Sequence, residues 1–91
     1  MENKNNVMTK KIQELKQEIE KYKRYEMESI LDFEAYSNLL TKSNLNNQDK
    51  QYIGFKMNKM QSMEKYYHEK IKELAGTLFV FESMYKDFNK K

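Results

Sequence analysis

Between Ile53 and Phe88 the chain repeats apolar residues at alternating steps of four and three: Ile53, Met57, Met60, Tyr67, Ile71, Leu74, Leu78, Phe81, Tyr85 and Phe88, with Glu64 the one break. A mean period of 3.5 residues keeps one stripe of a helix facing a neighbouring helix along its whole length, so this stretch reads as the seam of a long paired helix. A strand cannot use that period, because its side chains alternate every two residues. The fold is therefore constrained more tightly than the function.

A second run in the same rhythm precedes it: Met8, Ile12, Leu15, Ile19, Tyr22, Phe33, Tyr36 and Leu40, with Glu26 and Ser29 at the two seam positions in between. The chain has no proline, and its two glycines are Gly54 and Gly76. Little punctuates either helix. Turn formers cluster once, at Ser43-Asn44-Leu45-Asn46-Asn47, where the chain must reverse. Thr9 or Asn6 could cap the first helix, and Asn46 followed by Asp49 suits the start of the second. These signals predict an all-α fold, a long antiparallel helical hairpin forming a two-helix coiled coil. A single domain is expected, with a disordered N-terminal end at 1–6, helix 1 at 7–42, a turn at 43–47 and helix 2 at 48–89.

Antiparallel pairing demands that facing seam residues have numbers with a constant sum. Setting Leu40 against Ile53 puts Tyr22 by Ile71, Ile19 by Leu74 and Leu15 by Leu78. The polar exceptions then fall together, Ser29 facing Glu64 and Glu26 facing Tyr67. This predicts one polar layer of Glu26, Ser29, Glu64 and Tyr67 that fixes alignment at some cost in stability.

Not all apolar residues lie on the seam. Met27, Leu31, Ala35 and Leu39 form an i, i+4 ridge with Ile30 beside it, and Phe55, Met63, Tyr66, Phe79, Val80 and Met84 lie off the seam of helix 2. A second apolar face calls for a second partner. The expected protein interface comprises Met27, Ile30, Leu31, Ala35, Leu39, Phe79 and Val80, with a homodimer forming a four-helix bundle as the leading arrangement, a different protein as the second, and an apolar surface simply left exposed as the third. Seven methionines, with Met57, Met60 and Met63 close together, suit core filling or an adaptable contact.

Chemistry is sparse. Glu26, Glu64 and His68 could share a layer, but the Glu-x-x-His step of di-iron bundles is absent and there is one histidine. With no cysteine, thiolate metal sites and disulfides are ruled out. The reading is of a non-enzyme without metal, cofactor or small-molecule substrate. Net charge is +3, with both signs interleaved. Lys10, Lys11, Lys16, Lys21, Lys23 and Arg24, among Tyr22 and Tyr25, give the alternative reading, a nucleic-acid-binding accessory protein, though Glu14, Glu18 and Glu20 interrupt them. Gly76 either weakens the helix by about 1 kcal/mol or permits a close backbone approach, ahead of the β-prone run Thr77 to Phe81. No stretch has the length and apolarity of a membrane span or a signal peptide, so a soluble cytoplasmic protein is expected.

In architecture alone such a hairpin resembles the small secreted proteins with a Trp-x-Gly turn, although this chain has no tryptophan. In size and charge it is similar to the small helical bundles found among bacteriocin immunity proteins and bacteriophage inhibitors, with no motif of either group. The functional expectation is a non-catalytic, protein-binding hairpin acting as a small regulator, adaptor or inhibitor, of the kind a phage or mobile element encodes.

Overall fold

The computed structural model describes residues 3–42 and 44–90 of the chain. Two helices account for nearly all of them: α1, Lys4–Lys42, and α2, Asn47–Phe88. They pack lengthwise into an antiparallel hairpin of 68 × 20 × 16 Å.

Each end has an identifiable cause. Helix α1 begins at Lys4, earlier than position 7, because the Asn3 side chain accepts a 2.8 Å hydrogen bond from the Asn6 backbone N–H. An Asx oxygen there satisfies one of the four amides that a helix start leaves without a carbonyl partner. Residues 4–6 are thus helical rather than disordered; Met1 and Glu2, the start of the expected disordered end, lie outside the described residues. Asn6 and Thr9 do not cap: Asn6 is the donor, and the Thr9 hydroxyl donates back to the Asn5 carbonyl at 2.9 Å. At α2, extended Asn46 accepts from the Asp49 N–H at 2.8 Å, and Asp49 sits in the first turn, where an acid complements the helix dipole. Helix α2 therefore starts at Asn47, one residue before expectation, and the connection narrows to Asn44, Leu45 and Asn46, with Ser43 outside the described residues. Helix α2 closes at Phe88, with Asn89 as its cap rather than its last residue.

The seam packs in the expected register. Leu15, Ile19 and Leu74 form the buried cluster, with Tyr22, Ile71, Leu78 and Phe81 against it. Ile53 near the turn and Met8 near the free ends are buried too. At the open end the Asn89 side-chain amide donates to Asn5 Oδ1 at 3.1 Å, so the same alignment persists to the termini. The core is narrow because each helix has one neighbour and covers one stripe. Among the described residues none of the large side chains is completely buried.

Gly54 and Gly76 both lie inside α2, and a Cβ built on either meets nothing within 4 Å. Neither glycine has a positive φ. Gly76 therefore gives room to no neighbouring backbone within the chain, and Thr77 to Phe81 continue the helix.

Candidate interaction surface

The polar layer divides into two neighbourhoods. Glu26 Oε2 lies 3.1 Å from His68 Nδ1, within hydrogen-bonding range of the ring N–H. The Glu26 side chain is 24% exposed and that of His68 62%, so water reaches the pair and its strength is that of a surface contact. Tyr67, expected opposite Glu26, instead places its ring against Tyr22 and Tyr25, at centroid distances of 6.0 and 5.5 Å. Tyr66 adds a further ring 5.6 Å from Tyr67. Ser29 is buried at 4% exposure, and Glu64 is half-buried. Among the described residues no hydrogen bond joins Ser29, Glu64 and Tyr67 to one another.

Glu26, Glu64 and His68 line one open groove with Gln61 and Lys65. Among the described residues no three His, Cys, Asp or Glu side chains are grouped to hold a metal.

Of the six candidate basic residues on α1, Lys16, Lys21 and Arg24 line one shallow groove with Gln13, Gln17 and Glu20. Lys16 reaches across to Glu82 at 3.7 Å, and Lys23 pairs with Glu20 at 3.6 Å. Lys21 lies 5.1 Å from the Tyr22 ring centroid and Arg24 5.7 Å from that of Tyr25, within cation–π range. Lys10 and Lys11 are exposed, two turns below this group.

The expected protein interface is spread along the rod. Met27, Leu31, Ala35 and Leu39 are exposed on the loop half of α1, and Ile30 is half-buried. Phe79, 70% exposed, and Val80 project from α2 in the other half, at the height of Glu14 and Gln13. At 1.5 Å per residue the nearest members of the two groups are about 20 Å apart along the rod. Phe55 and Tyr66, off the seam as expected, are exposed, and with Tyr52 they bring aromatic surface of α2 to the level of the α1 ridge.

The tyrosine cluster escaped the sequence reading because the seam sum gives height along the rod but not the side on which a flanking residue lies. Tyr25 and Tyr66 could have been found by extending the sum to residues next to the seam. No helix among the described residues is long and apolar enough to cross a membrane. Comparison with protein-family models, with curated proteins and with solved structures found no match to this chain.

Proposed function

We propose that this chain is a non-catalytic helical hairpin that self-associates and works by binding another protein, as a regulator, adaptor or inhibitor. One observation carries the reading. Among the described residues eleven large hydrophobic side chains are substantially exposed, against five hydrophobics that are buried. A monomer of this size gains little from leaving so much apolar area in water, and contiguous exposed apolar surface is characteristic of contact sites. Phe55 and Leu31, on the outer faces of α2 and α1, remain accessible when a neighbour covers one flank of the hairpin.

The test compares the wild-type chain with a Leu31→Glu, Phe55→Glu variant as baits in a lysate of the native host, with helicity checked by circular dichroism. The reading expects a protein that the wild type retains saturably and the equally helical variant releases. Identical retention by both chains would remove the apolar outer surface as the binding element.

A further inference from the structure

We propose that two copies of this chain dock side by side through one flank of the hairpin, with both loops at the same end and α1 of each copy lying against α2 of the other. The proposal rests on the reading that uncovered apolar surface is binding surface; it adds the occupant, the flank and the orientation.

The two flanks differ. Lys16–Glu82 and Glu26–His68 bridge the helices along one of them. The aromatic contacts of Tyr25 and Tyr66 with Tyr67 mark the other. Residues seven apart return to the same side of a paired helix, so on α1 Asp32 and Leu39 follow Tyr25, with Glu28 and Ala35 in the row beside them. On α2 the same rule sets Lys56 and Met63 on this flank, and Tyr52 and Lys59 beside Tyr66. None of these residues is buried within the hairpin. The flank is therefore uncovered on both helices, with Ala35, Leu39, Met63 and the rings of Tyr25, Tyr52 and Tyr66 set among four charged side chains.

Its charges are sorted by helix. Between Tyr25 and Thr41, α1 places Glu28 and Asp32 on this flank and no basic residue. At the same height α2 places Lys56 and Lys59 on it and no acid. Yet among the described residues Glu28, Asp32, Lys56 and Lys59 enter no ion pair within the chain. Charge sorted by helix and left without an ion-pair partner, interleaved with exposed apolar residues, is matched by a second copy. A two-fold axis along the rod brings the acidic stretch of each α1 to the basic stretch of the other α2, antiparallel and at equal height, and the contact is self-complementary. With loops at opposite ends, the acidic stretch would instead meet a half whose same flank carries both signs, Lys11, Lys21 and Lys70 among Glu14, Glu18, Glu73 and Asp87, so its charge would be matched only in part.

Two charge-reversed chains test this: one with Glu28→Lys and Asp32→Lys, the other with Lys56→Glu and Lys59→Glu. Each should self-associate at least about tenfold more weakly than the wild type, because like charges then face each other across the contact. Mixed in equal amounts they should form a dimer again, which also shows that both variants are folded. The orientation is read separately by a spin label at Asn44→Cys, the chain having no native cysteine. Labels should lie at a separation near the 20 Å width of the rod rather than its 68 Å length. A monomeric wild type, reversed chains that dimerise as before, mixing without recovery, or labels at the long separation would each overturn the proposal. The reading as a protein-binding module fails on a different result, identical retention by the Leu31→Glu, Phe55→Glu bait.

Discussion

Replacing Gly76 with alanine should stabilise the protein, and the size of the gain follows from what surrounds the residue. Inside a helix glycine costs about 1 kcal/mol relative to alanine, since it leaves the unfolded chain more conformations to lose and buries no methyl. Usually part of that gain is forfeited to a clash or to a left-handed backbone. Here the new Cβ meets nothing within 4 Å and the backbone φ is negative, so little is subtracted. For a domain of this length 1 kcal/mol corresponds to roughly 4–8 °C in Tm. The assay is a far-UV circular dichroism melt at matched protein concentrations, because self-association makes Tm depend on concentration. Gly54→Ala, also with open space around its Cβ, should give a similar rise, and the double variant should be additive for sites so far apart. An unchanged or lowered Tm for Gly76→Ala alone would refute the reasoning: either a chain packs directly on the Gly76 backbone in the assembled protein, or Thr77 to Phe81 is not helical.

Leu74→Ala removes the α2 member of the buried cluster with Leu15 and Ile19 and should cost about 2–4 kcal/mol, read as a lower denaturation midpoint. Asn46→Ala deletes the acceptor for the Asp49 amide and should cost about 1 kcal/mol by the same assay. Glu26→Gln should change stability by less than about 1 kcal/mol, since its partner His68 is mostly in water, and the difference should shrink in high salt. A larger loss would mean that Glu26 is held in a drier contact, as in an assembly that covers this flank.

The seam was legible because it is a long-range pattern: a 3.5-residue period survives single exceptions such as Glu64, and the constant sum ties two distant stretches to one register. Leu15 against Leu78 and Ile19 against Leu74 follow from it directly. Helix ends were less legible, since one hydrogen bond sets them. Asn3, Asn5 and Asn6 are equally good Asx candidates, and which of them accepts depends on where the backbone first turns helical. The polar layer was legible in height but not in direction. Glu26 and Tyr67 do stand at one level, yet a carboxylate at a seam edge bonds to whichever neighbour shares its flank, and that neighbour is His68. Phe79 and Val80 share with Met27 and Leu31 only that they lie off the seam; the same constant sum sets them opposite Glu14 and Gln13, in the other half of the rod.

Solution mass by light scattering, over a range of concentrations and at low and high salt, tests the central claim most directly. The account predicts a dimer of the 11.1 kDa chain that weakens as salt screens the charges between copies. A mass of one chain at every concentration would contradict it, and would leave the exposed apolar surface without the second copy assigned to it.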